Sequence, residues 1–284
     1  MISHPLSEYA TPEMIELWTP EWNARTERLW WLDIVRYMRD HTRLYDHVPR
    51  FEDVFAAYLS VADDVDLDSI RQREEFTHHD VKARIEEFNW RAGLALYLGA
   101  THGQTFEPEL IHWGMTSADV VDNISLIRMR RAMDHLIEIP ARYGKDQVVK
   151  RILLEAQDRL PLRGIRGPVG TQQDMLDILG SAETCADLDR YLADEWGFEE
   201  VLGSVGQVYP RSLDLMVASA VAMAVQESDN KTPWLTIING YMSMIASYSG
   251  DQWNEGDVST SAVRRVALPG LFLAADAALS GAKP

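Results

Sequence analysis

The stretch HWGMTSADVVDN, residues 112–123, decides the fold. A Gly-x-Thr-Ser turn stands directly in front of a long helical pattern. Thr116 or Ser117 can accept a hydrogen bond from a free N–H of the first turn, and Asp119, three residues after Thr116, completes a loose capping box. The pattern that follows predicts a helix over about 117–139. Capping does not exhaust the motif. A helix N-terminus carrying two hydroxyls also favours an anion. His112, just ahead of it, is either a donor to that anion or a packed ring.

The same period extends outward from this stretch. Trp22, Leu29, Leu32 and Val35 predict a helix over about 22–41, and residues 51–62 predict another. Val81, Ile85, Phe88, Ala92 and Leu96 fall at spacings of 4, 3, 4 and 4, which makes one apolar stripe. Further helices are expected at about 146–159, 171–195, 212–227, 233–250 and 258–279. Thr232 and Pro233 read as a capping hydroxyl followed by proline at the first helical position, and Gly250 as that helix's end. No segment alternates with period two between turn signals. The expected fold class is therefore all-α, with no substantial sheet. No internal repeat is present.

Composition narrows the partners. The 284 residues carry 44 acids against 27 bases, a formal charge of −17. Such a surface repels nucleic-acid backbones and anionic membranes, so neither is an expected partner. An anionic substrate then needs a locally basic pocket. Cys185 is the only cysteine, which rules out an intramolecular disulfide and a cysteine-based zinc site and fits a reducing cytoplasm. MISHPLSEYATPE at the start lacks the pattern of a signal peptide, and the longest nearly apolar run, 215–225, is too short to span a bilayer. A cytoplasmic location is expected.

Two loops supply local basicity. PLRGIRGPVGT, 161–171, and GSVGQVYPRS, 203–212, combine glycines with arginines. Glycine lets backbone N–H groups approach a ligand, and an arginine fork matches carboxylate or phosphate. Read structurally, the same loops are tight connections with solvated arginines. THHDVKARIEEF, 77–88, starts a helix that Thr77 or Asp80 can cap. Its adjacent histidines diverge on a helix and no HExxH spacing occurs, so no metal site is expected. NEGDVSTSAVRRVALP, 254–269, gathers acids, serines and two arginines at another helix start. Without a G-x-S-x-G elbow or a parallel sheet it does not read as a serine hydrolase.

In this order, these blocks resemble the adenylosuccinate lyase family of the fumarase/aspartase superfamily. THHDVKARIEEF is similar to that family's Thr-x-His-Asp-Val block, and HWGMTSADVVDN to its His-x-Gly-x-Thr-Ser-x-Asp block. PLRGIRGPVGTQQDML, SVGQVYPRSLD and GDQWNEGDVSTSAVRRVALP resemble actinobacterial-type members. The resemblance runs from about Tyr9 to about Leu279. It implies an N-terminal helical domain over 1–110, then a shortened long-helix bundle over 111–284, with no counterpart of the C-terminal domain. It implies a homotetramer with shared sites and no metal or organic cofactor. The implied reaction is β-elimination of fumarate from adenylosuccinate or the related succinyl-carboxamide ribotide. By resemblance, Thr116 and Ser117 hold a substrate carboxylate or phosphate, and His79, Asp80 and His112 line the same pocket. Gln172 or Gln173 contacts the succinyl or purine part. Ser261 and Arg265 grip the nucleotide phosphate, and Arg211 adds positive charge. Tyr9 matches the tyrosine of the family's Arg-Tyr phosphate contact, but Glu8 precedes it and reverses a charge.

The chain departs from the family where the chemistry is expected. The general-acid histidine segment has no match between Arg128 and Arg163, an interval holding only His135. The Ser-Ser-x-Met-Pro-x-Lys-x-Asn loop of the general base is replaced by VAMAVQESDNKTPWLTIINGY, 221–241. ATHGQTFEPE, 100–109, resembles the acid segment but precedes the Thr-Ser block, which makes His102 a candidate relocated acid. Ser228 and Ser259 are candidate bases without motif support. Three readings follow: a lyase that is slow, altered in substrate or uses relocated groups; a non-catalytic homologue that binds nucleotide or assembles with a full-length lyase; or an eroded gene product with little function.

Overall fold

The computed structural model describes residues 4–283 except 47, 100–108, 144–146, 169, 204–208, 229–231 and 254–256. A short 3-10 helix (Pro5–Glu8) precedes α1 (Pro12–Leu17) and α2 (Pro20–His41). Both α-helices start alike. A threonine hydroxyl, Thr11 or Thr19, accepts a first-turn N–H, and proline follows where no N–H is needed. Next come α3 (Phe51–Ser60), α4 (Leu67–Thr77), α5 (Asp80–Gly99), α6 (Ser117–Tyr143), α7 (Gln147–Asp158), α8 (Gln173–Leu179) and α9 (Ala182–Trp196). The chain ends with α10 (Ser212–Gln226), α11 (Trp234–Tyr248) and α12 (Ser261–Ser280). Among the described residues the only strands are β1 (Tyr209–Pro210) and β2 (Asp251–Gln252), paired antiparallel with Tyr209 opposite Gln252. The fold class is all-α, as expected.

Three local expectations change. The helix expected over 171–195 is two helices, because Gly180 turns left-handed (φ +78°) and the Ser181 hydroxyl caps α9 by accepting the Thr184 N–H. α4 was not anticipated because it buries only Ile70 and so carries no apolar stripe. α11 begins at Trp234, one residue later than expected, with Pro233 at its N-cap and no side-chain cap.

α6, α7, α10, α11 and α12 form a bundle, α2 lies along α6 and α9, and α3 and α4 flank α5. One continuous apolar core runs from Met14 to Ala278 and includes residues on both sides of position 110. α12 lies deep in it: from Ala267 to Ala278 every side chain but Pro269's is buried. Its small residues admit a close neighbour. A Cβ on Gly270 would stand 2.2 Å from Cζ of Tyr241 on α11, so only glycine allows that approach. The N-terminal ends of α5, α6 and α12 meet at one rim of the bundle, through the contacts described next.

Candidate functional site

The start of α5 is capped by Asp80, whose Oδ1 accepts the Val81 N–H at 2.8 Å, and by His79. Its Nδ1 accepts the Lys82 backbone N–H at 3.3 Å. A nitrogen that accepts carries no proton, so the ring's N–H is at Nε2. That Nε2 lies 3.0 Å from the hydroxyl of Ser117, the first residue of α6. Beside it, Asp80 reaches α12: its Oδ2 is 3.7 Å from Nη2 of Arg265. Residues from three separated sequence blocks thus converge at the positive end of α6. Burial alone would raise the Asp80 carboxyl. Arg84, the Val81 N–H and Arg265 outweigh it and hold Asp80 below the usual carboxylate range.

His112 stands at the same turn in a left-handed conformation (φ +69°). Its Nδ1 accepts the Trp31 indole N–H at 3.1 Å, with the rings edge to face. Burial pushes its pKa down to about 4, against the pull of Asp119. At neutral pH the ring is uncharged and presents its N–H at Nε2. The neutral His112 N–H, the Ser117 hydroxyl, a helix N-terminus and the exposed Arg265 guanidinium suit a carboxylate or a phosphate.

Asp119 ties the turn to the arginine-glycine loop. Its Oδ2 accepts the Thr116 N–H at 2.9 Å, the expected half of the capping box. Its Oδ1 accepts the Arg166 N–H at 2.7 Å and pairs with Arg163, while the Gly167 N–H lies 3.2 Å from both oxygens. Neither reading of the loop arginines holds: they are not solvated and do not face an anion site. Arg163 is fully buried, and Arg166 pairs with Asp189 at 2.6 Å. A buried carboxylate needs a partner, and these arginines supply it. Gly164 (φ +71°) is required there, since a Cβ would sit 2.5 Å from Asp189 Oδ1.

The chain has relatives in sequence and neighbours in fold. No family model matches the chain. Adenylosuccinate lyase of Schistosoma mansoni is 25% identical over 302 residues, covering 78% of this chain and 60% of that protein. Adenylosuccinate lyase of Schizosaccharomyces pombe is 26% identical over 262 residues, covering 78% of this chain and 51% of that protein. In fold, fumarate lyase from Mesorhizobium sp. BNC1 superposes with a TM-score of 0.61 at 15% identity, covering 95% of this chain and 73% of its own. The chain is thus similar in sequence to adenylosuccinate lyases and shares its helical fold with a fumarate lyase. It spans between half and two thirds of the length of these curated relatives.

The other expected site residues are dispersed. Gln172 stands at the N-cap position of α8 in a left-handed conformation without a side-chain capping bond, and its Nε2 donates to Asp189 at 2.9 Å; Gln173 is exposed and donates to Asp177 at 2.7 Å. α8 still lies against the turn, since a Cβ on Gly114 (φ +66°) would meet Ile178 Cδ1 at 2.6 Å. Arg211 is buried and turned toward Asp122, not toward the His79–Ser117 contact. It donates to Asp122 at 3.1 Å and to Gln252, and it lies 4.3 Å from the Tyr209 ring centre. Asp122, buried on α6, needs that countercharge. Arg264 serves Asp214 in the same way, at 2.7 Å. Ser261 opens α12 one turn ahead of Arg265.

Tyr9 does not join the pocket within one chain. It packs edge-on to Trp234 at 5.3 Å, beside Thr11, whose N–H donates to Asp276 at 2.5 Å. Asp276 and Arg265 are separated by roughly 16 Å of helix. His135 is held at that far end too, with Nε2 2.8 Å from both Asp276 Oδ1 and Thr11 Oγ1. His102 lies outside the described residues. Ser228 donates to the Val225 carbonyl at 2.8 Å at the end of α10, and Ser259 to Asp257 at 2.5 Å.

Two residues at the site escaped sequence reasoning. Arg84 lies 3.4 Å from Asp80 Oδ2 and also pairs with Glu27 of α2. The first was visible as an i,i+4 pair. The second was visible as an acid in the stripe that carries Trp30 and Trp31.

Proposed function

We propose that this chain is an adenylosuccinate lyase-type protein that takes a succinyl-nucleotide in the pocket between the starts of α5, α6 and α12. The observation that carries this reading is the 3.0 Å contact of His79 with Ser117 beside the Asp80–Arg265 pair. Arg265 and the N-terminus of α6 suit a phosphate or carboxylate. The His112 N–H and the Ser117 hydroxyl, which is backed by His79, suit a carboxylate that gathers charge, because donors already in place cost no reorganisation as charge builds. Loss of a Cβ proton to a base leaves a carbanion delocalised into that carboxylate. The C–N bond then breaks, its electron pair goes to nitrogen, and an acid protonates the departing amine. Fumarate and AMP are the products from adenylosuccinate. His102 is the proposed acid. The working unit in this reading is a cytoplasmic homotetramer.

One observation favours a second reading, a non-catalytic homologue that binds nucleotide or assembles with a full-length lyase. His135, the one histidine between the Thr-Ser and arginine-glycine blocks, is engaged with Thr11 and Asp276 away from the pocket. A fumarate-release assay with adenylosuccinate separates the readings. Release that falls about a hundredfold or more in His102→Ala supports the lyase with a relocated acid. No release, with AMP binding that weakens in Arg265→Ala or altered activity of an added full-length lyase, supports the second. Neither release nor AMP binding, with no effect on the full-length enzyme, sinks both.

A further inference from the structure

We infer that Arg84 is a positioning residue of this pocket: from a buried anchor on Glu27 it holds Asp80, and through Asp80 it holds Arg265. The inference rests on the reading that the pocket takes a nucleotide. Glu27 on α2 is 1% exposed, and its Oε1 accepts the Asn23 amide at 2.7 Å. Its Oε2 takes Nε of Arg84. The far nitrogen of the same guanidinium, Nη2, lies 3.4 Å from Asp80 Oδ2, and that oxygen is the one 3.7 Å from Arg265. One planar fork therefore bridges a carboxylate in the interior and a carboxylate at the rim.

Geometry makes the bridge more than a surface contact. The Arg265 side chain is 73% exposed, and an isolated pair of that kind orders its side chains weakly. Arg84 is only 14% exposed and cannot leave the Glu27 carboxylate without stranding a buried charge. Asp80 inherits that rigidity, because its other oxygen accepts the Val81 N–H at 2.8 Å. Arg265 is thus held on Asp80, the neighbour of His79, before a ligand arrives. Preorganisation of this kind raises affinity without a new contact. Lysine cannot replace the bridge, since a point charge lacks the fork that spans two carboxylates.

The test is AMP binding by titration calorimetry on the full chain. The variants are Arg84→Lys and the double variant Glu27→Gln/Arg84→Met, which removes both buried charges together. Each is prepared with and without Arg265→Ala. We expect the double variant to keep the wild-type circular dichroism and to bind AMP about tenfold more weakly. Arg84→Lys should shift in the same direction. In the Arg265→Ala background neither change should weaken binding further, because the effect runs through Arg265. Unchanged affinity, or an equal loss in both backgrounds, overturns the inference while leaving the pocket intact. Should the double variant unfold, Arg84→Lys alone carries the cycle. AMP that binds wild type no better than Arg265→Ala is a different result: it overturns the reading of the pocket, and the inference falls with it.

Discussion

His112 shows how one residue couples burial to pH. Its imidazole takes a proton near 6.5 when unfolded and near 4 when folded, because burial opposes the charged form. Between those values the unfolded chain binds more protons. The contribution is therefore full above about pH 6.5 and is lost as pH falls toward about 4, on the order of 1–3 kcal/mol. Urea midpoints of wild type and His112→Asn, measured from pH 4 to 7, check this. Asparagine tolerates the left-handed backbone and does not titrate. Wild type should lose stability more steeply than the variant on acidification. Parallel curves would mean the ring is not buried as described. At this scale the sequence was half legible. His79, Asp80, Ser117 and Arg265 carry recognisable motifs, and the structure brings them together. The destinations of Arg163, Arg166 and Arg211 were hidden, because they depend on buried aspartates from distant segments.

Elements were more legible than residues wherever one face is apolar. The stripe Val81, Ile85, Phe88, Ala92 and Leu96 became α5, and the pattern after Ser117 became α6. α4 and the break at Gly180 were missed for opposite reasons: the one lacks a stripe, and the other has apolar residues on both sides of a left-handed glycine. The register between α11 and α12 was also invisible, since it depends on one close approach at Gly270. Gly270→Ala places a methyl inside the Tyr241 ring, so the two helices must separate or the ring must turn out. We expect a loss of about 1–3 kcal/mol in urea unfolding, of which Gly270→Ala combined with Tyr241→Leu regains part. A neutral Gly270→Ala would show that the helices do not meet there.

At the scale of the whole molecule, charge is distributed in a way the single chain does not explain. A quarter of all residues are charged, yet α11 carries none over its 15 residues. The one charged residue of α10, Asp214, is buried against Arg264. The outward positions of α11 are Thr236, Asn239, Gly240, Ser243, Ala246 and Ser247, all exposed and none larger than asparagine. A helix without charge on any face is ordinarily covered, and small residues let a second helix come close. In a chain of net charge −17, leaving such a face in water gains nothing in solubility. It fits the homotetramer proposed above, with α10 and α11 of one copy against those of another. Ser243→Glu buries an unpaired carboxylate in that contact and should dissociate it, whereas the equally exposed Glu52 on α3 can become glutamine without effect. Light scattering coupled to size exclusion decides the matter. A fourfold mass that falls in Ser243→Glu and survives Glu52→Gln supports assembly through this face. A wild-type monomer rejects the tetramer, and a tetramer indifferent to Ser243→Glu moves the interface elsewhere.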